Sequence, residues 1–545
     1  MLRLVHFTSL AFLLTGVLHS APAEWRSSLY PDNWRPGLAD SSGRFLHDFS
    51  FAGYHSGARP IPDVAGPVTD VTKPPYNADA SGAIDTTAAL QAAIDAVGLA
   101  GGGVVYLPAG TYQISPQGAG TFALRIRDDR VVLRGAGAGR TFLLNTESRM
   151  RGKAVISLEP RTPAWWNTGS GDPQGIALSA DLPGPSAVIP VTNVTPFAVG
   201  ELVAIRNTLT QSCIDRLGMT GKWRAGDPAN RPLAYCRRII SIDTKNRTLS
   251  VDIPVRGLLY TADQARVVKT SGRMLSEAGL EDFSLGMRQH PGATLGDDAY
   301  DKPGTAAYDV HGSTALSLSF VENAWVRRVR TYAPEGNDAN VHVLSNALRL
   351  WNTRLVTVAD CDFKFPQYRG GGGNGYLYCL NAQDNLVRDC RAEGARHNFD
   401  FGTMAASGNV LLDCTAKDGD LASDFHMYLS PANLIDNLTC DGDFIEARAL
   451  RPWGAPLHGV TTTQSVFWNT NGLRYAAKRL GAAPALVYSH QFGDGYVIGT
   501  RGPAHDVDSS DFVEGAGAGD SLRPRSLYVD QLDRRLGRTT PPRSP

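Results

Sequence analysis

Asp424, His426 and Tyr428 alternate with Phe425, Met427 and Leu429 in the stretch SDFHMYLSPANLIDN, residues 423–437. Successive side chains of an extended strand point to opposite faces. The three apolar residues can therefore face a core while a carboxylate, an imidazole and a phenol emerge side by side. Groups of these types within reach of one another can take, hold and return protons. The alternative is the wetted side of an ordinary strand, and neighbouring segments decide between the two.

A repeat supplies the neighbours. NLVRDCRA from Asn385, NVLLDCTA from Asn409 and NLIDNLTC from Asn433 align without gaps at 24-residue intervals. A weaker copy, VTTTQSVF, starts at Val460, and VRRV at Val326 and LEDF at Leu280 hint at earlier ones. A period in the mid-twenties, with short apolar runs separated by Asx and Gly, predicts coils of three short strands that stack into parallel sheets. The columns Asn385/Asn409/Asn433 and Asp389/Asp413/Asn437 are expected to serve the bends.

The repeat is also a ruler, because neighbouring strands lie ~4.8 Å apart. Nine residues before each repeat start, Tyr376, Asp400, Asp424 and Arg451 fall in one outward row. Seven residues before, Tyr378, His426 and Trp453 form the next, with Tyr428 two residues further on. Leu377, Phe401, Phe425 and Pro452 make the intervening core row. Arg396, His397 and His458 lie nearby, and parity with Phe399 gives His397 an alternative, inward placement. Stacked carboxylates repel, so one of the pair must hold a proton or share a cation. Asp400, Asp424, His426, Tyr428, Arg451 and His397 are the candidate catalytic residues. Tyr376, Tyr378, Arg396, Trp453 and His458 are the candidate binding residues, with loop packing as the alternative for the aromatics. For the carboxylates the alternative is a surface pair bonded to Arg.

The rest of the chain must position these groups. The formal charge of zero over 545 residues leaves no electrostatic footprint for nucleic acid. With 57 Gly and 19% charged residues the composition favours a turn-rich β protein. Arg3, an apolar run from Phe7 to Leu18 and Ala21-Pro22-Ala23 read as a signal peptide over residues 1–23, cleaved before Glu24. That run is too short to span a bilayer and no later one reaches ~18 apolar residues, so no membrane insertion is expected. Cys213 and Cys236 flank one excursion and can pair, whereas Cys361, Cys390, Cys414 and Cys440 recur as small buried residues.

Residues 24–75 form an arm rich in aromatics, Gly and Pro. Residues 76–185 hold a capping helix and the first coils, with Asp85 as N-cap and Leu90, Ala93, Ile94 and Val97 as the apolar stripe. Residues 186–268 break the period and read as a small inserted β-domain. Residues 269–505 hold the main coils, and 506–545 a basic, Pro-ended tail expected to be partly disordered. The expected architecture is all-β: a right-handed parallel β-helix, or solenoid, with an N-terminal capping helix and a small inserted β-domain.

TTAALQAAIDAVGLAGGGVVYLPAGTY, followed by VVLRGAGAG at Val131, resembles the opening of the pectate-lyase-like superfamily. The resemblance implies the same β-helix and a secreted or periplasmic carbohydrate-active protein, and it leaves the reaction open. With the candidate residues, it points first to a polysaccharide lyase that cleaves a uronate-containing polymer by β-elimination. In that reading His426 or Tyr428 serves as base or acid, and Arg451 or Arg396 clamps the substrate carboxylate. Asp400 and Asp424 would hold Ca²⁺ if the metal is used, as in the superfamily's metal-dependent lyases. The second reading is a glycoside hydrolase using that pair, though the Asp-Asp signature of polygalacturonase-like members is absent. The third is a non-catalytic carbohydrate-binding or adhesin solenoid. A polysaccharide is the expected partner of a monomer without organic cofactor.

Overall fold

The computed structural model describes residues 23–166, 174–226, 232–454, 457–477 and 484–538. The expected signal peptide falls almost wholly on residues 1–22, outside the described residues. The chain winds into a right-handed parallel β-helix, with 31 of the described strands joined in continuous parallel ladders. One interior column shows how the sequence builds it. Val105, Leu133, Leu280, Val326, Val358, Val387, Leu411, Ile435, Phe467 and Val497 stack on one another, strand upon strand. All ten are buried in the main core. Each coil covers its apolar face only with its neighbours, so stability accumulates along the stack.

The Asn column forms a hydrogen-bonded ladder. Asn385 Nδ2 donates to Asn409 Oδ1 at 3.1 Å, and Asn409 Nδ2 to Asn433 Oδ1 at 2.9 Å. The next rung is Ser465, whose Oγ accepts from the Asn433 backbone N–H, so the repeat does not resume at Val460 as expected. An irregular loop intervenes and lengthens that coil. The second column lies at left-handed bends, with φ of 54° at Asp389, 51° at Asp413 and 56° at Asn437. Asx residues adopt that conformation more readily than other L-residues.

The capping helix runs Thr87–Leu99 and buries Leu90, Ala93, Ile94 and Val97. Its N-cap is Thr86, one residue later than expected; the Asp85 carboxylate instead accepts from the Thr87 N–H at 2.9 Å. The segment that breaks the period folds as a six-stranded antiparallel sheet. It is docked by fully buried charge: Arg237 and Arg256 hold Asp384 of the coil at 3.1 and 2.8 Å. Cys213 and Cys236 are both free thiols. Cys236 lies in a strand whose N–H donates to Gln383, while Cys213 sits in a short helix within the inserted domain's own core.

Residues 506–538 of the tail are folded, and the remainder of the tail expected to be partly disordered lies outside the described residues. Val507–Ser509 and Phe512–Glu514 add rungs, and Leu527–Arg535 form a helix capped by Ser526. Leu527 and Tyr528 bury against Trp468 and Tyr496. Tyr528 Oη donates to Ala52 O, and Gln531 Nε2 to His47 O, clasping the N-terminal arm. Among the described residues no helix is long and apolar enough to cross a membrane.

Candidate active site

Strands Tyr376–Gln383, His397–Gly402, Ser423–Met427 and Ile445–Arg448 follow one another along one sheet. Asp400 pairs with Asp424 on adjacent rungs. The rest of the expected row is different. Cys379, not Tyr376, lies beside Asp400, and Glu446, not Arg451, lies beside Asp424. These two coils are shorter than the 24-residue repeat, so counting from the Asn column overruns.

Tyr376 still reaches the site. It pairs with His397 at the strand start, ahead of a break in alternation where Leu377 and Tyr378 both enter the core. Tyr378 therefore does not face outward as expected. Its ring stacks between Phe363 and Phe399 at 4.9 Å from each. The same break carries His397 into the site rather than the core.

Asp424 is the hub. Its Oδ2 lies 3.2 Å from His426 Nδ1 and accepts from Arg451 Nη1, while its Oδ1 lies 3.3 Å from His397 Nδ1. Arg451 arrives from the loop after Arg448, held by an antiparallel bridge to Gly459. It also lies 3.0 Å from His426 Nδ1. On the far side of the ring, His426 Nε2 is hydrogen-bonded to the Tyr376 hydroxyl at 3.2 Å. A line thus runs from carboxylate to imidazole to phenol.

Burial alone would raise the Asp424 carboxyl, but His397, Arg451 and His426 outweigh it and hold the group well below the usual carboxylate range. Burial and the charge of Asp424 push Asp400 well above that range. The two carboxyls are pushed apart, so Asp400 holds a proton more tightly than Asp424. Burial and Arg451 lower His426 to about 3, and burial lowers His397 and His458 to about 4, so all three rings are neutral at physiological pH. Burial and Asp400 push the Tyr376 phenol up, keeping it a proton donor.

A cleft of about 390 Å³ opens over this sheet. Tyr376, Asp400, His426 and Tyr428 line it, and Asp424 does not. Tyr428 sits at a left-handed backbone position, φ 55°, and turns toward Trp223 of the inserted domain, ring centroids 5.9 Å apart. The His458 ring lies 5.0 Å from that of His426. Trp453 is 42% exposed beside Arg451, and Arg396 is ion-paired with Asp297 at 3.0 Å. Sequence reasoning missed Arg349, Trp351, Cys379 and Asn381, which also line the cleft. The alternation in NALRLWNT, with Leu348 and Leu350 inward, was a signal for the first two.

His397, Asp424 and His426 offer atoms within 4.8 Å of one another, close enough for a shared ion. Arg451 already fills the position between Asp424 and His426.

Residues 71–172 match the family described as "Rhamnogalacturonase A/epimerase, pectate lyase-like". A 68-residue segment is 48% identical to mannuronan C5-epimerase AlgE3 of Azotobacter vinelandii, covering 12% of this chain and 4% of that protein. A 68-residue match to alginate lyase 7 of the same organism is 43% identical and covers 12% and 8%. The chain thus spans only a small part of the length of these relatives. Among solved structures, the tailspike gp61 of Pseudomonas phage phi297 aligns over 80% of this chain and 70% of its own at 12% identity, TM-score 0.43. The AlgE6 A-module of Azotobacter vinelandii aligns over 81% and 75% at 13% identity, TM-score 0.29.

Proposed function

We propose that this chain, whose residues 71–172 match a pectate lyase-like family, is an exported enzyme that acts on a uronate-containing polysaccharide by abstracting the proton at C5, with β-elimination as the outcome. The observation that carries this reading is the division between the two carboxyl groups. Asp400 lines the cleft, and burial and Asp424 push its carboxyl well above the usual range, while Asp424 lies beneath the cleft and is held well below that range. A retaining hydrolase needs its ionised carboxylate at the anomeric carbon. Asp424 is committed to His397, His426 and Arg451 and does not line the cleft, which argues against hydrolysis.

Elimination uses the groups as they stand. The protonated Asp400 donates a hydrogen bond to the sugar carboxylate and stabilises the negative charge that develops there as C5 loses its proton. Asp424, 3.2 Å from His426 Nδ1, orients the ring, and in the tautomer that carries its proton on Nδ1 the base is Nε2. The Tyr376 hydroxyl, 3.2 Å from Nε2, is the acid for the leaving glycosidic oxygen. Base and acid on the same side of the cleft favour a syn-elimination.

The donor set does not suit Ca²⁺, which takes six to eight oxygen ligands. Imidazoles and a guanidinium, not further oxygen ligands, surround this pair. No step is therefore routed through a metal.

A second reading has a specific basis. The short matches include proteins named mannuronan C5-epimerase as well as one named alginate lyase. Both reactions begin with loss of the C5 proton and differ in whether the glycosidic bond then breaks. Incubation of the mature protein with uronate polymers in D₂O separates them. Ultraviolet absorbance from a new C4–C5 double bond means elimination, and deuterium at C5 without cleavage means epimerisation. New reducing ends without either would overturn C5 abstraction.

A further inference from the structure

Two rungs before Asp400 the cleft carries a second set of polar groups that the proton-transfer apparatus does not use. Leu348 and Leu350 are in the core, so Arg349 and Trp351 point outward from the same strand. Arg349 pairs with Cys379 and Cys379 with Asp400, placing Arg349 in the column of the carboxylates with its backbone two rungs, ~10 Å, from that of Asp400. Trp351 pairs with Asn381 one column over.

Three observations make this a built site. Arg349 is exposed and, among the described residues, has no ion-pair partner, whereas Arg396 and Arg451 nearby are both paired with carboxylates. Its guanidinium lies 4.6 Å from the centre of the Trp351 ring, a stacking that fixes its orientation and leaves its N–H fork free. The Oδ1 of Asn381, a residue only 7% exposed, lacks a hydrogen-bond partner, while its Nδ2 is held by Cys379 Sγ at 3.2 Å. Gly402 keeps the space beside that oxygen open, since a Cβ there would come within 2.7 Å of it.

Resting on the reading of a uronate polymer, we propose that Arg349, Trp351 and Asn381 form a binding subsite for an acidic sugar on the N-terminal side of the reacting residue. Arg349 takes the carboxylate through paired N–H bonds, the Trp351 ring lies against the sugar beside it, and Asn381 Oδ1 accepts a hydroxyl. The other side of the reacting residue is unlike it: Glu446 follows Asp424 in the column, and Tyr488 follows Glu446. Glu446 is ion-paired with Arg448 at 2.6 Å, so of the two flanks it is the Arg349 side that offers a cation without an ion-pair partner, and the subsite also fixes the direction in which the polymer lies.

The test is calorimetric binding in a His426→Ala background, which prevents turnover. Uronate oligosaccharides are compared with the same oligosaccharides after their carboxyl groups are reduced to alcohols. Arg349→Ala is expected to weaken binding of the acidic form about 10- to 100-fold and to leave the reduced form unchanged, with Arg349→Lys recovering only part of the loss. Arg349 is exposed, so its replacement leaves the fold intact. No loss on the acidic form, or equal loss on both, overturns the subsite. Turnover of uronate polymer by the unmodified protein is measured beside it. Turnover with unchanged Arg349→Ala binding sinks the subsite alone, and absence of turnover on every uronate polymer sinks the reading beneath it.

Discussion

Asp400 and Asp424 occupy paired positions on adjacent rungs, yet only Asp400 opens into the cleft. The difference comes from what each touches. Asp424 meets His397, His426 and Arg451, whereas Asp400 meets a cysteine thiol, Cys379 Sγ at 3.3 Å, and lies 3.6 Å from His426 Nδ1. A protonated and an ionised carboxyl standing side by side should respond differently to the same substitution.

Asp400→Asn keeps a neutral hydrogen-bond donor at the cleft, and its kcat/KM is expected to fall less than about tenfold. Asp424→Asn leaves Arg451 buried without its partner and removes the orienting charge from His426. Breaking such a pair costs about 3–5 kcal/mol, and activity should fall by two to three orders of magnitude. Urea unfolding and kcat/KM for the two variants check this. Equal losses in both would refute the unequal sharing of protons.

The part of this site legible in the sequence was the part lying within the 24-residue repeat. The Asn ladder and the Asp400–Asp424 pair obey the ruler because the coils between them have that length. Tyr378 was misplaced because a corner put two consecutive residues, Leu377 and Tyr378, into the core, which period-2 reasoning does not foresee. Arg451 did reach Asp424, but through a loop between coils rather than through the row it was assigned to. Tyr428 has the right parity, yet a left-handed backbone turn directs it to the inserted domain. Arg349 and Trp351 lie outside the repeated segments altogether, so nothing tied them to the carboxylates until the strand register did.

Activity should be insensitive to acid over the range where an ordinary histidine titrates, because His426 stays neutral down to about 3. The limit should lie on the alkaline side. Asp400 is raised well above the usual range, and once it ionises it repels the sugar carboxylate. The fall in kcat/KM at rising pH is expected to vanish in Asp400→Asn, which has no proton to lose. A pH profile of both proteins decides this, and an unchanged alkaline limb in the variant would assign it to another group.

Stability should move with pH in the opposite sense. His397, His426 and His458 are depressed when folded, to about 4, 3 and 4, against an ordinary value of ~6.5. Between these limits the unfolded chain binds more protons than the folded one, so stability is lost as pH falls from ~6.5 toward 3. Urea midpoints across that range should decline on acidification, and less steeply in His458→Gln than in the unmodified protein.

All seven cysteines are free and buried. Denatured protein purified without reductant should therefore titrate seven thiols per chain, native protein almost none, and reductant should leave the thermal midpoint unchanged. A count of five would restore the Cys213–Cys236 bridge.

Asp436 ties the C-terminal helix to the coils by accepting from Ser526 Oγ at 2.7 Å and from the Tyr528 N–H at 2.9 Å. Burial pushes its carboxyl up to about 7, despite those two bonds. A carboxyl raised in this way binds its proton more tightly in the folded state, so its contribution to stability is complete below its ordinary value of ~3.9 and is lost as pH rises through 7. The helix that clasps the N-terminal arm should accordingly loosen between pH 5 and 8. Hydrogen exchange over residues 526–538 should quicken across that interval by more than the intrinsic base-catalysed increase. Asp436→Asn retains an acceptor for both bonds without a proton to lose, and in that variant the excess should disappear. An excess that survives the substitution would mean that the helix is released by some other group.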